Sequence, residues 1–120
     1  MAYDAHSNLA ISTVDGTPPG TGGTSLDVST GDGAFFPAVP FNATVWASGV
    51  SPDRTNAEII RVTARSGDSF TTIVRNQEEA WGPRDIGAGD MIAATLTAKT
   101  ITEIESGQNI QSVLAGQVFA

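Results

Sequence analysis

The chain has 120 residues, enough for one domain with a modest core and little room for a second. Its net charge is −7 and only 16% of its residues are charged; with Lys99 its only lysine and no clustered arginines, it is not expected to bind nucleic acid. It has no cysteine, which excludes disulfides, thiolate metal sites and cysteine nucleophiles, and no apolar run near the roughly 18–20 residues of a membrane-spanning helix.

Met1–His6 lacks the basic and apolar regions of a signal peptide, so synthesis in the cytoplasm is expected. Residues 1–14 read as a mildly apolar leader carrying Tyr3, Leu9 and Ile11. Asp15–Thr24, DGTPPGTGGT, holds two prolines and four glycines and cannot sustain a helix or a central strand. Residues 1–24 are therefore expected to form an N-terminal arm and linker, and removal of residues 1–14 is expected to leave the body folded.

The body, residues 25–97, carries the period-two signal of strands. Leu26 and Val28 share a face. Phe41, Ala43, Val45 and Ala47 alternate with Asn42, Thr44, Trp46 and Ser48. Ile60, Val62 and Ala64 alternate with Arg61, Thr63 and Arg65, and Phe70, Thr72 and Val74 alternate with Thr71, Ile73 and Arg75. Ile92, Ala94 and Leu96 form the last inward set. Ser66-Gly67-Asp68 predicts a hairpin turn, and Gly31-Asp32-Gly33 and Gly87–Asp90 predict further turns. The fold class expected is all-β: a small antiparallel sandwich or barrel of about five to seven short strands with extended N-terminal and C-terminal arms. Residues 98–120 are expected to form the C-terminal arm. There Ile110, Val113, Leu114, Val118 and Phe119 fit one helix face that needs a surface, on its own body or on another subunit.

Candidate chemistry is sparse. His6, the only histidine, lies in the leader, and no GxSxG motif accompanies it. Asp27, Asp32, Asp85 and Asp90 flank glycine turns, but their spacing matches no calcium loop. Glu78 and Glu79 are neighbours, which on a strand would point to opposite faces. Gly20–Gly23 is not followed by the Lys-Ser or Lys-Thr of a phosphate loop. Trp46 and Trp81 could line a sugar site or simply pack, and Arg61, Arg65 and Arg75 are expected on a solvated or interface face of the hairpin. No catalytic residue, cofactor or metal is expected.

The runs GTSLDVSTGDGAFFPAVPFNATVWASGVSPDRTNAEIIRVTARSGDSFT, IVRNQE and GDMIAATLTAKTITEIE, with the opening Tyr3-Asp4-Ala5-His6, resemble a recurrent domain of tailed-phage virion proteins. Such domains occur in small capsid-decorating proteins and at the starts of tail-fibre or tail-tip chains. The resemblance spans about residues 3–105 and departs from the usual pattern at Glu79-Ala80-Trp81-Gly82-Pro83, where a small turn is customary. It implies a non-enzymatic capsid decoration, or cement, protein in the virion, with the major capsid protein and two further copies of itself as partners. A tail, collar or baseplate part anchoring a fibre is the alternative, and a carbohydrate-binding module is a third reading. Assembly contacts are expected at Tyr3, Leu9, Ile11, Trp81, Pro83, Ile110, Leu114 and Phe119.

Overall fold

The computed structural model describes residues 7–79, 83–94 and 101–102. Its strands are β1 (Ile11–Asp15), β2 (Leu26–Val28), β3 (Phe41–Trp46), β4 (Glu58–Ser66), β5 (Ser69–Val74) and β6 (Met91–Ala93). All pairings are antiparallel, and the strands close into a barrel in the order β1-β2-β5-β4-β3-β6. Of the two architectures expected, the chain adopts the barrel. Closure gives each strand a partner on both sides and so limits the exposed edges that invite aggregation.

Inward side chains fill the barrel, as they must in one this small. Val14, Leu26, Val28, Phe41, Ala43, Val45, Ile60, Val62, Phe70, Ile73 and Ile92 are buried there, joined by Ile86 from a loop. Phe36, Phe41 and Phe70 form an aromatic triad with ring centroids 5.2–5.9 Å apart, two of the three contacts edge-to-face.

The N-terminal arm expected over residues 1–24 is not an arm from Ile11 onward, and residues 1–6 lie outside the described residues. Ile11–Asp15 is a barrel strand, paired with β6 at Ile11–Thr13 and with β2 at Val14–Asp15. Ala10, Ser12 and Val14 point inward and are buried, whereas Ile11 is exposed. The period is present in the sequence, but the inward set is small and partly polar, so its burial signal is weak. The glycine- and proline-rich stretch is a loop within the barrel: Gly20 bridges to Ile86 through reciprocal 3.1 Å backbone hydrogen bonds. Of the C-terminal arm, only Ile101 and Thr102 are described, and they are helical.

The predicted alternation on β5 also fails. Phe70 and Ile73, three residues apart, are both buried, while Thr72 and Val74 are exposed. The β4–β5 register slips between Val62 and Ala64 and again between Ala64 and Ser66. Over the second interval β5 advances three residues against two, a bulge that swaps its faces.

A short 3₁₀ turn, Asp32–Phe35, lies against the hairpin tip and beside β1. The Gly31 and Gly33 N–H groups donate to the two Asp68 carboxylate oxygens, each at 2.9 Å. Ser12 Oγ donates to Asp32 Oδ2 at 2.7 Å, and Arg65 Nη1 donates to the Gly33 and Phe36 carbonyls. Gly33 is needed for close approach: a Cβ there would stand 2.3 Å from the Gly67 carbonyl oxygen and 2.8 Å from Asp68 Cα. Both are backbone atoms that cannot rotate away. Gly33→Ala is therefore expected to cost about 1–3 kcal/mol, the range for overpacking, read as a lowered melting temperature. Gly31→Ala at the neighbouring position would meet no such contact but would be strained at φ +87°.

Candidate functional site

The strongest charge constellation is built around Glu58. It is the first residue of β4 and shares the inward parity of Ile60 and Val62, so its side chain is fully buried. Arg75, just past β5, donates to it through Nε (2.8 Å) and Nη2 (2.7 Å). The backbone N–H groups of Asn76 (2.7 Å) and Arg84 (2.9 Å) complete its shell. Burial alone pushes the Glu58 carboxyl up. The Arg75 pair and the two N–H donors outweigh it and hold the carboxyl below its ordinary value.

The two arginines extend the network. Arg75 also donates to the carbonyls of Gly23 (3.0 Å) and Arg84 (2.7 Å). Arg84 reaches Asp90 Oδ2 through Nη2 (2.7 Å) and Nε (3.2 Å) and the Asn56 carbonyl through Nη1 (3.0 Å). The Gly87 N–H donates to the same Asp90 oxygen at 2.9 Å. Four charged residues thus fasten the glycine-rich loop, the approach to β4, the end of β5 and the loop before β6 to one another. A carboxylate fully saturated by fixed donors is suited to holding structure rather than to moving protons.

A second polar group sits on β3 and β4. Asn42 donates to Glu78 Oε2 at 2.7 Å and accepts from Arg61 Nη1 at 2.8 Å. Asn42 is buried and committed to these bonds, so the Asn42-Ala43-Thr44 sequon presents no accessible amide. Arg61, Arg65 and Arg75 do not form the solvated face expected of them: each bonds a different part of the fold.

Among the described residues, no group of three or more His, Cys, Asp or Glu side chains could hold a metal ion. Asp15, Asp27 and Asp68 line an open cavity of about 360 Å³ between β1, β2 and the hairpin. Asp68 is occupied by the Gly31 and Gly33 N–H groups, which hold its carboxyl below the ordinary value, and Asp15 accepts the Gly16 N–H at 2.8 Å.

The outer wall of the barrel differs from this acidic side. Two cross-strand rows, Ile11–Ala93–Thr44–Ile59 and Thr13–Met91–Trp46, face outward without a charged side chain. Trp46 is only 9% exposed and packs with Ala57, Ala93 and Met91 in a small cluster separate from the main core. Leu9 and Ile11, at the open end of this wall, are 91% and 47% exposed.

Of the expected contact residues, Leu9 and Ile11 are both exposed, one just before β1 and the other at its start. Pro83 is exposed on the loop that Arg84 fastens. Tyr3, Trp81, Ile110, Leu114 and Phe119 lie outside the described residues. The Glu58 network is not singled out from the sequence, although an acid at an inward strand position is its signal. Comparison with protein-family models, with curated proteins and with solved structures finds no match.

Proposed function

We propose that the chain is a non-enzymatic structural subunit of a tailed-phage particle: a capsid decoration protein that binds the outer head surface as a trimer. The observation that carries the assembly part of this reading is the exposure of Leu9 and Ile11 at the start of β1, at the end of the uncharged outward row Ile11–Ala93–Thr44–Ile59. Protein–protein contacts favour such surfaces, where little charge must be desolvated. The commitment of Glu58, Arg75, Arg84 and Asp90 to holding loops supports a structural rather than a catalytic use of the buried charge. The virion assignment rests on the sequence resemblance.

A decoration protein works by adding buried area across capsomer joints, at about 25 cal/mol per Å² of apolar surface before ordering costs. Compactness suits that task, because a subunit that unfolds under load transmits none. The sugar-binding reading loses one of its platforms, since Trp46 is buried against Ala57 and Ala93.

Gold labelling of an affinity-tagged copy on intact particles tests the proposal. Label is expected on heads, and heads lacking the protein are expected to rupture at lower temperature. Label confined to the tail or baseplate would replace this reading with the fibre-anchoring one, and unlabelled particles would overturn both.

A further inference from the structure

The open end of the uncharged wall calls for an occupant. Leu9 holds an apolar side chain in water, and it does so at φ +55°, a conformation that costs an L-residue roughly 1–2 kcal/mol. Ile11, two residues on, is half exposed on the same outward row as Ala93. Further along, Trp46 and Ala93 are already buried in their cluster with Ala57 and Met91, so the need is local to the β1 side.

We infer that this open end is the seat of the chain's own C-terminal segment, residues 106–119. Two observations carry the inference, and the first is composition. Residues 106–120, SGQNIQSVLAGQVFA, contain no charged side chain, and Ile110, Val113, Leu114 and Val118 recur at the spacing of one helix face. A helix of that length is marginal alone in water and is stabilised by an apolar surface. The Leu9–Ile11 end offers one, whereas the β2 side of the barrel presents Asp15, Asp27 and Asp68.

The second observation is where the chain leaves the barrel. The Ala94 N–H donates to the Ala10 carbonyl at 2.9 Å, so the chain departs from β6 beside the residue that lies between Leu9 and Ile11. Residues 95–105 then tether the segment to its seat. Eleven residues reach at most about 36–40 Å, ample to turn back over a neighbouring strand yet short enough to keep the segment close. A short tether gives an effective concentration in the millimolar range, about 100-fold or more above that of a second copy in a 10 μM solution. The segment's own seat therefore outcompetes a neighbour's, and a partner subunit would meet this end of the wall through the seated, uncharged segment rather than through Leu9 and Ile11 directly.

Because the chain has no cysteine, a pair of introduced thiols reports the contact without background. Ile11→Cys with Leu114→Cys, in the full chain at about 10 μM, is oxidised mildly and resolved by non-reducing electrophoresis and peptide mapping. An intrachain disulfide is expected, forming at least about 10-fold faster than in the control pair Val50→Cys with Leu114→Cys, which samples the same tether at an exposed site outside the wall. Leu9→Cys with Leu114→Cys repeats the test from the adjoining residue should the first pair meet at a poor angle. Interchain disulfides in place of intrachain ones would assign the seat to a second copy and overturn the inference. Equal rates for the wall and control pairs would overturn it as well.

Discussion

Glu58→Gln is expected to destabilise the barrel by about 3–5 kcal/mol, the loss typical when one partner of a buried ion pair is removed. Glutamine nearly matches the shape of glutamate, so little of this arises from a cavity. The loss has two sources. Arg75 keeps its charge but loses its bidentate acceptor, and at least one of the Asn76 and Arg84 N–H groups then faces an amide NH₂ or a weaker neutral acceptor. For a domain whose whole stability is of the order of 5–15 kcal/mol, that brings it near the threshold of unfolding. Urea denaturation of both chains at pH 7 measures the difference, and a loss under about 1 kcal/mol would mean that the network is dispensable.

The same substitution should alter the response to acid. The folded carboxyl of Glu58 titrates below its unfolded value of about 4.5. Its contribution is therefore complete above the unfolded pKa and is lost as pH falls through the folded one. The wild-type chain is expected to weaken steeply below about pH 4.5, and Glu58→Gln to weaken less steeply over that window because this contribution is already gone. Asp68, also held low by the Gly31 and Gly33 N–H groups, remains in both chains and keeps some acid dependence in each.

Much of the body is legible because strand period and turn chemistry agree. Phe41, Ala43 and Val45 alternate cleanly and are buried, and Gly67-Asp68 turns the β4–β5 hairpin at a glycine with φ +60°. Where reading failed, a long-range term had overruled a local one. The bulge that buries both Phe70 and Ile73 depends on pairing with β4 and leaves no mark in the local period. Strand β1 reads as an arm in the sequence because Ala10, Ser12 and Val14 bury little area individually, and what holds them is closure against β2 and β6. The sequence places the arginines on a surface because arginine is seldom fully buried unless paired; their partners lie 9 to 52 residues away in sequence. Of the candidate contact residues, only Leu9, Ile11 and Pro83 have described positions, and exposure is the property they share.

Placing β1 inside the barrel reverses the expected outcome of removing residues 1–14. That deletion takes away Ala10, Ser12 and Val14 from the interior and nearly all of the strand that joins β2 to β6. β2 and β6, three residues each, would be left as edges with one partner apiece, and Leu26, Val28 and Ile92 would lose cover on the β1 side. Losing cover over several core side chains together with two ladders should cost more than about 5 kcal/mol, beyond what almost any single substitution does. The truncated chain is expected to lack a cooperative thermal transition and to exchange its β2 and β6 amides at unprotected rates. Removing only residues 1–8 spares the strand and Ala10 and should leave the melting temperature within a few degrees of the full chain. The pair of truncations separates two roles that a single one confounds. If the longer deletion also melts cooperatively near the full-length temperature, Ile11–Asp15 is dispensable to the barrel and the N-terminal segment is an arm after all. If only the shorter deletion folds, any binding lost with it reports on the residues before β1, because the fold that presents them is intact.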